Sequence, residues 1–206
     1  MSASLLFEAE PMVHPNVLEA YEQAIRVLRK ARIPYRETGG IALNSYGVGR
    51  PTKDVDLIVR RADWSRAIRA LGRIATDQPG IRFGLPGEPE PGLAVIGPHG
   101  VRIEVRPEGT THDQIATIRG MRKARPHPAG KLAFGMQGDA VVALVNNKLA
   151  SYLSAKDRLR DAADVQSLIK RLRLPLGFAA RLAPQVRAAY RRVWVKPEGR
   201  GMKENA

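Results

Sequence analysis

Residues 38–59 read TGGIALNSYGVGRPTKDVDLIV, and the fold turns on this stretch. Gly39-Gly40 sits where a short strand, Tyr35 to Thr38, should turn into a helix running from Ile41 to about Tyr46. Gly47 and Gly49 then break that helix. Asp56 to Arg60 reads as a buried strand, with Asp54 and Asp56 at its head. Side chains alternate along a strand, so Asp54 and Asp56 share one face while Val55 takes the other. Acids are depleted in strands unless they have a task. Two of them on one face, beside a glycine turn that exposes backbone N–H groups, suit a divalent metal carrying a nucleoside triphosphate.

Outward from this stretch the pattern mixes helices and strands. Val17, Leu18, Tyr21, Ile25 and Leu28 recur at helical spacing over Pro15 to Arg32, and Pro34 ends that helix. After the acid strand, Asp63 is placed to cap a helix with Trp64, Ile68, Leu71 and Ile74 on its inner face. Thr76 to Gly92 is loop-rich in proline and glycine. Leu93 to Ile96 and Val101 to Val105 read as a hairpin about Gly97–Gly100. In that second strand Val101, Ile103 and Val105 face one way, and Arg102, Glu104 and Arg106 the other. Glu104 is therefore either a third acid for a metal site or a partner of those arginines on a solvated face.

From Asp139 onward the chain reads as helical. One helix carries Val141, Val142, Leu144, Val145 and Leu149. A second begins near Lys156 and holds Leu159, Ala163, Val165, Leu168 and Ile169. A third runs from about Leu176 to Val193. The expected class is α+β: a mixed sheet flanked by helices over residues 1–135, a helical extension over 136–195 and a flexible tail over 196–206.

Bulk properties narrow the function. The 206 residues carry 34 Lys and Arg against 20 Asp and Glu, a net charge of +14. That excess favours a polyanionic partner such as RNA. Aromatic residues make up 5%, too few for a base-stacking platform. With no cysteine, disulfides, thiolate metal sites and a Cys nucleophile are excluded. The N-terminus lacks the marks of a signal peptide, and no apolar run approaches membrane-spanning length, so a cytoplasmic location with no membrane partner is expected. His14, His99, His112 and His127 share no metal-binding spacing and are expected on the surface or in loops. Ser45 and Ser65 have no recognisable base, which excludes a hydrolase triad. Trp64 and Trp194 are expected to pack. Residues 171–194 form a basic amphipathic stretch, either a packed helix with a wet face or a surface for RNA or a protein.

The glycine pair followed by an apolar-flanked Asp-x-Asp resembles the polymerase-beta-like nucleotidyltransferase superfamily. The fuller TGG…R-x-T-x-D-x-D form is similar to the minimal nucleotidyltransferases of bacterial abortive-infection and toxin–antitoxin systems. Asn146-Asn-Lys148-Leu, followed by Arg160-Asp161 and Asp164, is similar to that branch's helical signature. The resemblance covers roughly residues 35–170. It implies a nucleotidyltransferase-type fold and transfer of a nucleoside monophosphate from an NTP to a hydroxyl of RNA, tRNA above all, or of a protein. It implies Mg²⁺ as cofactor and a cognate antitoxin as a partner. Gly39 and Gly40 would hold the triphosphate. Asp54 and Asp56 would bind metal, with Glu104 as the third carboxylate. Lys148 would reach the phosphates, Asp161 would position Lys148 or the acceptor, and Arg50 and Thr52 would orient the acids or touch the nucleotide. The chain departs from the superfamily in carrying Gly-Gly where Gly-Ser is frequent, and Glu104 where Asp is usual. The second departure leaves open a catalytically inactive relative that serves as a nucleotide- or RNA-binding regulatory partner. A purely basic RNA-binding protein, indifferent to metal, is the third reading.

Overall fold

The computed structural model of the chain describes residues 13–76, 81–83, 92–113, 127–154 and 158–197. Its architecture is α+β, with a five-stranded mixed sheet and helices against it. The strands are β1 (Tyr35–Thr38), β2 (Asp54–Val59), β3 (Ile81–Phe83), β4 (Gly92–Ile96) and β5 (Arg102–Pro107), in the order β1-β2-β5-β4-β3. Only β2 and β5 run parallel; the other neighbours are antiparallel. The chain therefore needs a crossover between β2 and β5, and α3 (Trp64–Leu71) lies within it. The expected hairpin forms from β4 and β5.

α1 (Pro15–Lys30) opens with proline at its first turn, where a missing N–H costs nothing. The His14 ring accepts from the Asn16 amide there, at 3.2 Å. Its inner face buries Val17, Ala20, Ala24, Ile25 and Leu28. With α3 and the apolar face of β2, β4 and β5, it forms a core around Val55, Leu57, Val59, Ile103 and Val105. Full burial of each such side chain is worth about 1.5–3 kcal/mol relative to exposure.

A second core gathers the C-terminal helices α4 (Ala140–Ser154), α5 (Leu159–Leu172) and α6 (Pro184–Val193). Leu149, Val165, Leu168, Ile169 and Tyr190 lie at its centre. Ala42 and Leu43 of α2 (Gly39–Ser45) enter the same cluster. The helix that leaves the glycine turn is therefore packed into the C-terminal helices. Arg36 of β1 adds polar ties, donating to the carbonyls of Gly135, Gln137 and Gly138 at 3.3, 3.1 and 2.8 Å.

Several local expectations are corrected. α2 begins at Gly39, two residues before Ile41. β2 begins at Asp54, so both acids are strand residues. Asp63 takes the N-cap position of α3 as expected, but its side chain makes no capping hydrogen bond; its carboxylate pairs with Arg66 at 2.7 Å, and Ile74 lies past the helix end. Leu159 is exposed because it opens α5 on the solvent side. The start expected near Lys156 falls outside the described residues. Leu176 to Val193 is not one helix: a 3-10 turn over Leu176–Arg181 precedes α6, and Pro184, unable to donate within a helix interior, sits where the new helix starts. Within the loop-rich stretch, β3 forms a short edge strand; 77–80 and 84–91 lie outside the described residues. So do 198–206 of the expected tail. Among the described residues, no helix is long and apolar enough to cross a membrane.

Candidate active site

Strand register assembles the acids. Parallel pairing sets Asp54 opposite Arg102 and Asp56 opposite Glu104. Antiparallel pairing on the other side sets Thr38 opposite Asp56. The turn at the end of β1 is thereby held against the acid face of β2. Gly39 has φ +61°, and a Cβ there would lie 2.0 Å from Asp56 Oδ2. A Cβ on Gly40 would lie 2.4 Å from Thr52 Oγ1. Both glycines are required by close approach: a side chain would push the turn off Asp56 at Gly39 and off Thr52 at Gly40. Thr52 in turn hydrogen-bonds the Asp54 carbonyl and Asp54 Oδ1, at 3.1 and 3.2 Å.

Gly39→Ala is expected to destabilise the fold by about 1–2 kcal/mol through the left-handed backbone alone, with a further cost from displacing Asp56. Urea unfolding of the variant beside the wild type measures it. An unchanged midpoint would contradict the packing of Gly39 on Asp56.

The third acid is committed elsewhere. Glu104 Oε1 pairs with Arg102 Nη2 at 3.0 Å, and Glu104 Oε2 pairs with Arg106 Nη2. Arg106 Nη1 donates to Asp56 Oδ1 at 3.1 Å. Glu104 and Arg106 are both buried, so the expected solvated face is corrected for that pair; Arg102 alone of the three stays exposed. Burial would lower the Arg106 pKa, but Asp56 and Glu104 outweigh it and hold the guanidinium charged. Its Cζ lies over the Phe134 ring, 5.6 Å from the centroid.

A second ionic cluster lies on the helices. Lys148 of α4 is buried and reaches Asp161 Oδ1 at 2.9 Å and Asp164 Oδ2 at 2.7 Å. Asp161 also meets Arg158 at 2.9 Å, and Asp164 meets Arg50 at 3.2 Å. Burial would raise the Asp161 carboxyl, but Lys148 and Arg158 together hold it below the usual carboxylate range. Asp161 and Asp164 are three apart on α5 and would repel without these cations. Arg50 is aimed by Asn44, whose side-chain amide donates to the Gly40 and Arg50 carbonyls at 2.9 and 2.7 Å. The Asn44 oxygen accepts from the Arg50 amide at 3.1 Å. Arg50 and Thr52 therefore sit on one segment with the helix cluster at one end and the acids at the other.

Of the residues singled out in the sequence, Gly39, Gly40, Thr52, Asp54, Asp56 and Glu104 gather at the β1–β2–β5 end. Arg50, Lys148 and Asp161 gather at the α4–α5 end, joined by Asp164. Asp54 and Asp56 fit a hard divalent cation in the chemistry of their donors: both are carboxylates on one strand face. Among the described residues, no group of three or more His, Cys, Asp or Glu is arranged to hold a metal ion. Asn44 carries no signal in the sequence, and the burial of Arg106 and His112 is not visible there. Arg106 was legible as sharing Glu104's face, but not as buried with it.

His112 corrects the expectation of a surface histidine. It is buried, 4.5 Å from the Phe134 ring by centroids, with a ring nitrogen 3.4 Å from Asn147 Oδ1. Burial pushes its pKa from 6.5 down to about 4. The unfolded chain then takes up a proton near pH 6.5 that the folded chain refuses, so this stability is present above pH 6.5 and is lost as pH falls toward 4. Between about pH 7.5 and 5, the wild type should lose about 2 kcal/mol through this group. Urea midpoints at the two pH values, beside His112→Asn, test it; equal pH slopes for the two proteins would refute it.

No protein-family model matches the chain. No curated protein matches it either. Solved structures do. A CCA-adding enzyme solved with CTP is 12% identical, with a TM-score of 0.40, over 88% of this chain and 47% of that one. The Thermotoga maritima CCA-adding enzyme complexed with tRNA is 14% identical, with a TM-score of 0.39, over 91% and 49%. The Bacillus stearothermophilus CCA-adding enzyme with CTP is 17% identical, with a TM-score of 0.34, over 84% and 42%. The chain spans about half the length of these structures.

Proposed function

We propose that the chain is a nucleotidyltransferase that moves an NMP from an NTP to a hydroxyl of RNA, tRNA foremost, or of a protein, in the manner of a toxin-type enzyme with a cognate antitoxin. The observation that carries this reading is the Asp54–Asp56 pair held against the Gly39–Gly40 turn. Residues 1–135 would form the catalytic part and 136–195 its helical extension.

Asp54 and Asp56 would hold Mg²⁺, which when bound neutralises charge on the triphosphate and on departing pyrophosphate. The Gly39–Gly40 turn gives the triphosphate a surface that backbone alone can offer. Lys148 and Arg50, already aimed by Asp161, Asp164 and Asn44, present cations to its oxygens. The acceptor hydroxyl gives up its proton to solvent as its oxygen attacks the α-phosphorus in line; the new O–P bond forms as the bond to the bridging α–β oxygen breaks and pyrophosphate leaves. Rate enhancement comes from positioning and electrostatics, with no covalent enzyme intermediate. The net charge of +14 favours an RNA acceptor.

A second reading is favoured by the pairing of Glu104 with Arg102 and Arg106: a catalytically inactive relative that binds nucleotide or RNA as a regulatory partner. The experiment incubates purified protein with each α-labelled NTP, Mg²⁺, total bacterial RNA and protein extract, beside Asp56→Asn. Label on RNA or protein with the wild type alone supports transfer and identifies nucleotide and acceptor. Triphosphate binding without label supports the second reading. Salt-sensitive RNA binding that ignores both metal and Asp56 supports the third reading, a basic RNA-binding protein.

A further inference from the structure

We propose that the Arg106 guanidinium is a built-in cation of the acid site, held there by Glu104 as a positioning residue, so that the chain takes one divalent ion where three carboxylates would otherwise take two. The inference rests on the nucleotidyltransferase reading above and concerns the metal content of that same site.

Register places Glu104 directly across from Asp56 on a parallel neighbour, with their side chains on one face. Arg106, two residues on, shares that face. Its fork spans the two acids: Nη1 reaches Asp56 Oδ1 at 3.1 Å while Nη2 binds Glu104 Oε2. Glu104's other oxygen is taken by Arg102 at 3.0 Å. Both oxygens that would face a second metal are thus directed at guanidinium groups.

This arrangement resists exchange for a metal. The Glu104 and Arg106 side chains are only 2% and 5% exposed. A guanidinium cannot shed its proton, so displacing it would strand a buried positive charge. The ring of Phe134 adds a cation–π contact, with Arg106 Cζ 5.6 Å from its centroid. The planar fork also fits two carboxylates with a directionality that a lysine would lack. Arg106 therefore gives the site a fixed single charge before nucleotide arrives. Asp54, on the same strand face as Asp56, would hold the one divalent ion.

Mn²⁺ replaces Mg²⁺ as the probe. Equilibrium dialysis with bound-ion EPR counts the ions held per chain by the full-length protein. One Mn²⁺ per chain is expected for the wild type, and loss of that ion for Asp54→Asn. Arg106→Met uncovers Asp56 and Glu104 to each other and is expected to bind two. Should that variant not fold, the neutral pair Glu104→Gln/Arg106→Gln keeps the shape without the charges. It should still bind one, with a dissociation constant within about threefold of the wild type. Two ions on the wild type, falling to one in the neutral pair, would overturn the proposal and assign Glu104 as a ligand, leaving the nucleotidyltransferase reading intact. No ion on the wild type would overturn that reading and this proposal together.

Discussion

On the proposed function, Asp56→Asn should lower nucleotidyl transfer by at least about a hundredfold while the chain stays folded. The effect is electrostatic. Asparagine preserves the shape of the side chain, so the close approach of Gly39 survives and Arg106 Nη1 can still donate to a side-chain oxygen. What disappears is the negative charge that would hold a divalent ion beside Asp54. Removing one oriented group that acts on developing charge costs roughly 3–4 kcal/mol of barrier, and a metal ligand should cost no less. The structural cost is smaller, about 1–3 kcal/mol, because one ion pair becomes a hydrogen bond to a charged group. Labelled transfer gives the rate and circular dichroism melting gives the fold. A folded Asp56→Asn protein with wild-type transfer would remove the acids from the chemistry and return the chain to the basic RNA-binding reading. Asp54→Asn should follow the same pattern, since Thr52 can still donate to a side-chain oxygen.

Much of this site was visible in the sequence because it rests on local rules. A glycine pair before a helix, and acids two apart at the head of an apolar strand, need only the period of a strand and the steric freedom of glycine. What could not be read is non-local. That Glu104 faces Asp56 depends on β5 lying parallel beside β2, a pairing across some fifty positions that no window contains. Once the pairing is known, Arg106 follows at once, and its burial explains a basic residue flanked by valine and proline. His112 was misplaced for the same reason. Its neighbours in space, Phe134 and Asn147, come from distant segments, and its own segment looks like an ordinary loop. The C-terminal helices were legible from their apolar period, whereas the break before Pro184 required weighing one proline above an otherwise helical pattern.

The second large effect belongs to Lys148, whose structural and chemical roles can be separated. Lys148→Met removes the cation shared by Asp161 and Asp164, both buried. Arg158 and Arg50 remain, each on only one of the two acids. Breaking a buried pair from one side costs about 3–5 kcal/mol, because a charge is left without compensation. With those arginines in place the lower end applies, and at about 2–4 °C per kcal/mol the melting temperature should fall by roughly 10 °C. Adding Asp161→Asn and Asp164→Asn to Lys148→Met removes the stranded charges and should recover most of that loss. Transfer should not recover with it, since the triple variant still lacks the Lys148 cation for the phosphates. Stability and transfer returning together would make Lys148 a purely structural residue. Stability returning alone is the outcome that a phosphate-binding lysine requires, because the methionine fills the space of the side chain but offers nothing to an anion.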